Sequence, residues 1–335
     1  MKNFDKNFET SSFSAGIIGF GSISKKHIQT LSEMLPKTKF IVKTAQIISE
    51  TDPINELDIQ FTSKFETFLS AKQDITIIAT AATNHKKDFQ KIVSSFENIL
   101  IEKPIASCME DAKEIKRLSE KLNKNVSIGY NLRHTAGAQK VRALIKNSDI
   151  GEPISFSMTV GQCIEAWRPD RDYRFTVSAQ KSLGGGVLRE LSHELDLALL
   201  FFGQPSVLES KLYKAVYKDL DVEDTAQIRA KFSGLSDIIG TINMDFTRPK
   251  KVRNVIVNFS AGSIHWDLLD GKIVKETQSK TEILLDTPDD INNSYKKMFQ
   301  SIISRDKSHL CNIDEAIATI QLIECIEKNS PIESV

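Results

Sequence analysis

A lysine and a histidine stand in sequence contexts that suit acid–base chemistry. Lys103 lies in Glu102-Lys103-Pro104, directly after a short apolar run, and His193 follows the glycine-rich segment 184–186. A histidine can take a proton from a hydroxyl group near neutral pH, and a lysine ammonium can stabilise the negative charge that develops on that oxygen. The alternatives are a solvated surface lysine and a histidine packed inside an apolar helix.

A glycine turn near the start of the chain suits a nucleotide. The segment Gly19-Phe-Gly21-Ser22-Ile23-Ser24 follows an apolar run and precedes a helical pattern, which is the setting of the dinucleotide fingerprint GxGxxG. Gly19 permits the tight turn, and Gly21 lets the backbone approach a pyrophosphate. The helix that opens at Ser22 and Ile23 offers its first N–H groups to phosphates. The alternative is an ordinary strand–turn–helix corner with serine in place of the third glycine.

The acid that usually binds the adenosine ribose is missing from its expected place. It should stand about 20 residues beyond the last glycine, where the chain reads Lys43-Thr44-Ala-Gln46. Glu50 and Asp52 come late, and Thr44 and Gln46 are uncharged hydrogen-bonding groups. No acid repels a 2′-phosphate and Lys43 can favour one, so the sequence leaves NAD and NADP open.

Further polar residues are expected at the same edge as the glycine turn. Ligands of open α/β sheets bind at the carboxyl ends of the strands. Thr80, Asn84 and His85 follow one apolar run, and Glu102 and Lys103 follow the next. We therefore expect these five residues to line the cofactor site together with the glycine turn.

The first half of the chain alternates predicted strands with predicted helices. This alternation indicates βαβ units and a doubly wound parallel sheet, so residues 14–129 are predicted to form an α/β dinucleotide-binding domain of the Rossmann type. The predicted strands are 13–19, 40–48, 74–80, 98–101 and 126–129, and the predicted helices are 25–35, 86–96 and 110–123.

The second half shows consecutive strand patterns joined by short turns, which favours antiparallel pairing. Residues 130–335 are therefore predicted to form an α+β domain with an open, mostly antiparallel sheet that binds substrate and forms an oligomer. The predicted strands are 154–162, 206–217, 225–232, 237–245, 252–259 and 263–268, and the predicted helices are 136–148, 187–202, 290–304 and 313–328.

Composition excludes several classes of function for the 335-residue chain. Lys and Arg number 44 and Asp and Glu number 44, so no basic surplus favours a nucleic acid partner. The longest apolar run has six residues, far short of the roughly 20 that span a membrane. The N-terminus resembles no secretory signal, which favours the cytoplasm. No metal is predicted, because the four cysteines are not clustered and Leu197 stands where an HExxH motif needs histidine.

The motifs together resemble the glucose–fructose oxidoreductase / inositol dehydrogenase / MocA family. The resemblance rests on GFGSIS-KKH, IATAATNH, EKP, GYNLR and GGGVLRELSHELD and covers residues from about 14 to 330. It implies that Lys103 lies where nicotinamide meets substrate, that Pro104 follows a cis peptide and that His193 is the acid/base. Family members often place an aspartate four residues before the histidine. Here Glu190 stands three residues before His193, and we expect it to orient the imidazole from the same helix face.

The segment 167–174 and two residues near the domain boundary are candidates for binding the substrate. Aromatic rings can stack on sugars, and arginines bind carboxylate or phosphate in bidentate fashion. The alternative is a solvated loop of balanced charge. The candidates are Asn131, Arg133, Trp167, Arg168, Tyr173, Arg174 and His193.

The sequence thus predicts an NAD- or NADP-dependent oxidoreductase that transfers a hydride between nicotinamide and a secondary alcohol or ketone. The resemblance implies a sugar, nucleotide sugar or polyol as substrate and a role in bacterial surface-sugar biosynthesis. It also implies a homodimer or homotetramer formed through the C-terminal sheet. The alternatives are a catalytically silent nucleotide-binding regulatory protein on the same scaffold, and an oxidoreductase for a non-sugar substrate such as a linear tetrapyrrole or aromatic diol.

Overall fold

Short, fully buried apolar runs build a six-stranded parallel sheet in the first half of the chain. The structure is a computed structural model that describes residues 13–48, 53–167, 172–233, 237–288 and 290–335. The strand order is β3-β2-β1-β4-β5-β6, the doubly wound arrangement that the sequence predicts. The strands are β1 Ser14–Ile18, β2 Lys39–Lys43, β3 Ile59–Thr62, β4 Ile75–Ile78, β5 Asn98–Ile101 and β6 Asn125–Ile128.

Helices cover both faces of this sheet. They are α1 Ser22–Met34, α2 Phe65–Ser70, α3 His85–Ile92 and α4 Met109–Lys121. Strand β3 and helix α2 were not predicted, because the four-residue edge strand is only partly buried and its apolar signal is weak. The second strand ends at Lys43 rather than at residue 48, and the last bonds to its neighbours join the Lys43 carbonyl to the Gly19 N–H and the Thr44 N–H to the Thr62 carbonyl.

The second half forms one open sheet of nine strands. Its order is β14-β13-β12-β11-β7-β10-β9-β8-β15, and every pair is antiparallel except β7–β10 and β8–β15. The open, mostly antiparallel sheet is therefore confirmed. The strands are β7 Pro153–Gly161, β8 Pro205–Lys214, β9 Thr225–Ser233, β10 Asp237–Asp245, β11 Val252–Phe259, β12 Gly262–Asp267, β13 Lys272–Glu276, β14 Thr281–Asp286 and β15 Ile332–Ser334.

Helices pack against one face of this sheet and leave the other face open. On β10, Ile238, Ile242 and Met244 are buried, whereas Ile239 on the opposite face is 48% exposed. The helix predicted over 187–202 is interrupted at Leu191, where the backbone leaves the helical conformation. The helices are α5 Ala136–Lys146, α6 Ile164–Trp167, α7 Val187–Glu190, α8 Ser192–Phe202, α9 Asp290–Ser304 and α10 Ile313–Asn329.

Helix α9 returns from the second half of the sequence to complete the first core. Met298 and Phe299 are buried in the same apolar cluster as β1 and α1, and the Phe299 ring packs edge-on against His27 at 5.4 Å. The division of the sequence at residues 129 and 130 stays a prediction, since this core takes side chains from both sides of it. Within the described residues, no helix has both the length and the apolar character needed to cross a bilayer.

Candidate active site

The glycine turn between β1 and α1 forms a cradle of backbone that would fit a pyrophosphate. Gly19 has φ +101°, and a Cβ at this position would lie only 2.7 Å from the Ala79 carbonyl oxygen. Gly21 precedes α1, and a Cβ there would meet no atom within 4 Å, so the space beside it is open. Ser24 is fully buried, which accords with the close packing expected at the third glycine position. The turn thus presents the N-terminal N–H groups of α1 beside an open space.

The end of β2 carries the residues that bear on cofactor choice. The Lys43 ammonium lies over the Phe65 ring at 4.8 Å from its centroid. The Thr44 hydroxyl accepts a hydrogen bond from the Gln46 N–H at 3.1 Å. Glu50 and Asp52 lie outside the described residues. Among the described residues 39–48, no carboxylate stands at the end of β2.

Thr80, Asn84 and His85 lie at the predicted edge, but their contacts differ from the prediction. The Thr80 hydroxyl donates to Asp88 at 2.9 Å, and Asn84 is exposed just before α3. His85 is buried, with Nε2 at 3.0 Å from the Thr80 carbonyl and Nδ1 at 3.1 Å from that of Pro104. Burial lowers the pKa of His85. A neutral ring donates from only one of its nitrogens, so His85 bonds one of these carbonyls at a time, and its contacts link the two loops.

Glu102 holds the backbone beside Lys103 in place. Its Oε1 lies 2.7 Å from Nε2 of the buried His27, and its Oε2 accepts the Lys103 N–H at 3.0 Å. A Cβ at Gly129 would approach this carboxylate to 2.8 Å, so a glycine is needed there. The Glu102 carboxylate is thus directed into the protein, and it positions Lys103 rather than facing the open space.

Lys103 joins the two halves of the chain. It follows β5 and precedes Pro104 across a cis peptide bond, as the family resemblance implies. Its Nζ donates to the carbonyl oxygen of Glu190 at 2.8 Å, three residues before His193. The ammonium from the first half therefore lies at the break between α7 and α8, where the histidine begins its helix.

His193 sits at this break with its ring nitrogens unpaired. It is 8% exposed and packs edge-on against Tyr130 at 5.5 Å. Among the described residues neither ring nitrogen has a hydrogen-bond partner, and only Nδ1 is completely inaccessible. Burial, and then the charges of Lys103 and Arg253, hold the pKa of His193 well below its usual value. The imidazole is therefore neutral near pH 7 and can accept a proton.

The structure gives no contact between the Glu190 carboxylate and His193, so the orienting role of Glu190 stays a prediction. The helix stops at Glu190 and restarts at Ser192, so the two side chains do not share a continuous helix face. The Glu190 carboxylate accepts a hydrogen bond from the Ser178 hydroxyl at 3.1 Å instead. What Glu190 gives to the site is its backbone carbonyl, which holds Lys103.

Asn131 and Arg133, predicted to bind substrate, are placed in contacts within the chain. Both are almost fully buried, and the Asn131 amide donates to Ser294 at 2.7 Å. The Arg133 guanidinium forms two bonds with Asp196, at 2.6 and 2.8 Å, and a third with Glu315 at 2.8 Å. These side chains are fully engaged in structural contacts. The sequence showed their polarity but not the partners that satisfy it.

The candidate substrate-binding residues of the segment 167–174 lie in different surroundings. Trp167 is half-buried against Phe246, with ring centroids 5.2 Å apart. Tyr173 donates to Asp219 at 3.0 Å, and Arg174 pairs with Asp172 of its own loop at the surface. Arg168 lies outside the described residues. Of these residues, Trp167 borders a cavity that reaches Leu191, next to the break at which Lys103 and His193 meet.

Two residues, one acting on His193 and one beside His27 and Glu102, were missed from the sequence. Arg253 on β11 donates from Nε to Glu194 at 2.6 Å, and its charge lowers the pKa of His193. Tyr295 on α9 packs against His27, and burial together with the Glu102 charge raises the pKa of its phenol. Arg253 lay within a predicted strand and Tyr295 within an amphipathic helix, so neither carried a motif. Within the described residues, no group of three or more His, Cys, Asp or Glu side chains is placed to hold a metal ion.

Comparison with family models identifies both halves of the chain. Residues 13–130 match a model described as an oxidoreductase family with an NAD-binding Rossmann fold, and residues 138–265 match the GFO/IDH/MocA C-terminal domain. The family resemblance drawn from the motifs is thereby confirmed.

Among characterised relatives, the chain is 25% identical to glucose-6-phosphate 3-dehydrogenase of Bacillus subtilis (strain 168) over 205 residues, which cover 58% of this chain and 55% of that protein. It is 28% identical to 2,7-anhydro-N-acetylneuraminate hydratase of Escherichia coli (strain K12) over 167 residues, covering 48% of this chain and 44% of that protein. The chain thus matches about half the length of these relatives.

Solved structures share the whole fold. Levoglucosan dehydrogenase in complex with NADH and levoglucosan superposes with a TM-score of 0.80 at 17% identity, covering 96% of this chain and 98% of that one. The WlbA dehydrogenase from Bordetella pertussis in complex with NADH and UDP-GlcNAcA gives a TM-score of 0.77 at 16% identity, covering 95% of each chain. At such identities the likeness shows the fold.

Proposed function

This chain belongs to the Gfo/Idh/MocA oxidoreductase family, and from that premise we propose that it transfers a hydride between a nicotinamide cofactor and a secondary alcohol or ketone of a sugar or nucleotide sugar. The observation that carries the proposal is the bond from Lys103 Nζ to the Glu190 carbonyl. It brings an ammonium from the Rossmann half to the helix break that presents His193. Such a pair is what the oxidation of an alcohol needs from a protein.

The first half supplies the groups that would hold the cofactor. The turn from Gly19 to Ser22 and the N-terminal N–H groups of α1 would hold the pyrophosphate beside the open space at Gly21. When bound, the nicotinamide takes up or gives the hydride. NAD and NADP are both compatible with the end of β2, which bears no described carboxylate.

The protein's own part in the reaction is to move a proton and stabilise charge. In the oxidation direction, the accessible Nε2 of His193 takes the hydroxyl proton. The Lys103 ammonium hydrogen-bonds the same oxygen and stabilises the negative charge that develops there. The lowered pKa of His193 keeps it neutral across the neutral pH range, so its capacity to act as a base does not fall until the pH is well under 6.5.

The proposal is tested with purified protein, both cofactors and a panel of sugars and nucleotide sugars, following nicotinamide absorbance. We expect turnover with at least one member of the panel. The Lys103→Ala variant should lose about 10²- to 10⁴-fold in kcat, whereas cofactor affinity, measured by fluorescence titration, should change little. Wild-type turnover in Lys103→Ala would refute the catalytic assignment. Absence of hydride exchange with every compound would favour the regulatory alternative.

We propose further that the chain forms a homodimer or homotetramer through the outer face of the nine-stranded sheet. Support comes from the face that the helices leave open, on which Ile239 and Ile283 are about half exposed. Sedimentation of wild-type protein and of Ile239→Lys tests the proposal, and a smaller assembly is expected for the variant.

We also propose a reducing, cytoplasmic location, which the four free cysteines support.

A further inference from the structure

One cavity close to the proposed catalytic residues Lys103 and His193 has no role in the reaction described above. It lies between the end of β7, helix α6 and the start of β11. Its lining residues are Val160, Gly161, Gln162, Trp167, Leu191, Lys251, Val252 and Arg253. Leu191 is the residue at which α7 and α8 are interrupted, and Arg253 also acts on the pKa of His193. The cavity therefore borders the helix break at Leu191, two residues before His193.

The charges around this cavity are not balanced. Arg253 is held by Glu194 through bonds of 2.6 and 3.1 Å. The Lys251 ammonium, by contrast, has no hydrogen-bond or ion-pair partner among the described residues. Partial burial and the charge of Arg253 lower the pKa of Lys251. Two cations thus share one carboxylate at the mouth of a cavity.

The other nearby carboxylate does not supply the missing charge. Asp245 lies against Gly161, where a Cβ would come within 2.6 Å of its Oδ1. It is already engaged by Arg248 Nε at 2.7 Å and by the N–H groups of Thr247 and Arg248 at 3.1 Å each. The Lys103 and Arg253 charges both act on His193, and Lys251 adds a third cation at the cavity.

We infer that Lys251 and Arg253 form a subsite for the carboxylate or phosphate of an anionic sugar, whose ring lies against Trp167 while its reacting carbinol faces His193 and Lys103. The inference deepens the proposed function and rests on it. A half-buried indole beside Leu191 supplies the apolar wall that a sugar ring can cover, and Gln162 adds an uncharged hydrogen-bonding group. The anion would replace the partner that Lys251 lacks.

The chain offers a matched control for this subsite. Lys250 directly precedes Lys251, and both side chains are exposed, but only Lys251 lines the cavity. Lys251→Gln removes the unpaired charge, whereas Lys250→Gln removes the same charge from the neighbouring surface. Lys251→Arg restores a cation at the cavity.

The experiment measures binding of glucose, glucuronate and glucose 6-phosphate to cofactor-saturated protein by calorimetry, with glucuronate and the phosphate ester separating the two sources of negative charge. At least one charged hexose should bind about tenfold or more tightly than glucose, and more weakly as salt is raised. Lys251→Gln should remove that advantage, Lys251→Arg should restore it, and Lys250→Gln should leave it unchanged. If no charged hexose binds more tightly than glucose, or if the advantage survives in Lys251→Gln, the subsite is refuted.

Turnover assays on the same proteins separate this inference from the proposed function. Oxidation of sugars with no dependence on charge or on Lys251 would overturn the subsite alone. Charge-dependent binding without hydride transfer to any sugar would overturn the oxidoreductase function and leave the anion subsite standing.

Discussion

Helix α8 contributes to two clusters of charged side chains that differ in how completely their charges are paired. In the structural cluster, Arg133 is buried against Asp196 and also pairs with Glu315, so each of the three charged groups has an ionic partner. In the cluster around His193, the imidazole has no hydrogen-bond partner among the described residues. Unpaired polar atoms are costly when buried, and each of them calls for an explanation. Side-chain atoms of Ser24, His27, Arg142 and Trp266 are also buried without a partner in the described part of the chain, so such an atom does not locate a site by itself. The comparison teaches that the polarity of a residue does not show whether the fold already satisfies its polar groups.

Removing the arginine of the structural cluster should produce the largest change in stability. Arg133→Met leaves Asp196 buried without its partner, and breaking a buried pair in this way costs about 3–5 kcal/mol. Urea denaturation measures the loss. Arg117→Met, which breaks the surface pair with Glu114, is the control and should cost less than about 1 kcal/mol. Equal losses in the two variants would show that the cluster around Arg133 is not structural.

Lowering the pH should reduce the free energy of unfolding through protonation of His134, which adjoins the structural cluster. This residue adjoins Arg133, and burial, with the charges of His309 and Arg133, lowers its pKa to about 4. The folded state thus favours the neutral ring. Its contribution to stability is complete above the unfolded pKa of about 6.5 and is lost as the pH falls toward about 4. Between pH 7.5 and pH 5 the loss should reach about 2 kcal/mol.

Urea denaturation of His134→Gln at both pH values tests this contribution. The variant should show a loss between pH 7.5 and pH 5 that is smaller by about 2 kcal/mol than that of the wild type. His265→Gln, which changes a more exposed histidine on β12, should keep the wild-type dependence. The same pH dependence in wild type and His134→Gln would contradict the account.

The smallest effect on kcat is expected from a change at Glu190. Glu190→Gln keeps the backbone carbonyl that holds Lys103 and can keep a hydrogen bond with Ser178. We expect kcat to change by less than about threefold, since the lost charge has no contact with His193. Steady-state kinetics over pH 5–9 measures the change. A large fall in kcat with a displaced pH profile would restore Glu190 as the residue that orients the histidine.

The sequence predicted the parts of the site that depend on local order along the chain. Gly19, Gly21 and Lys103 each follow a short buried strand, and strand ends fix their place in a doubly wound sheet. The open antiparallel sheet was likewise foreseen from consecutive strands with short turns. These features need only short-range patterns, which one sequence contains.

The failures depend on contacts between distant residues. The partners of Arg133 lie 63 and 182 positions away along the chain. Two carbonyls that contact His85 lie about 20 positions away. The polarity of these two side chains therefore did not reveal the contacts that they make within the fold. The interruption at Leu191 separates Glu190 from His193 although their spacing suits one helix face. Arg253 joins the site only because β11 lies beside β7 in the folded sheet.

A double-mutant cycle on Lys103 and His193 tests most directly whether an ammonium and an imidazole act on the same substrate oxygen. The rate of hydride transfer is measured in single turnovers for wild type, Lys103→Met, His193→Asn and the double variant, on the sugar that wild type uses best. We predict that each single change slows transfer by about 10²-fold or more, and that the double change costs clearly less than the product of the two. Effects that multiply without coupling, or a single variant that transfers hydride at the wild-type rate, would contradict the account.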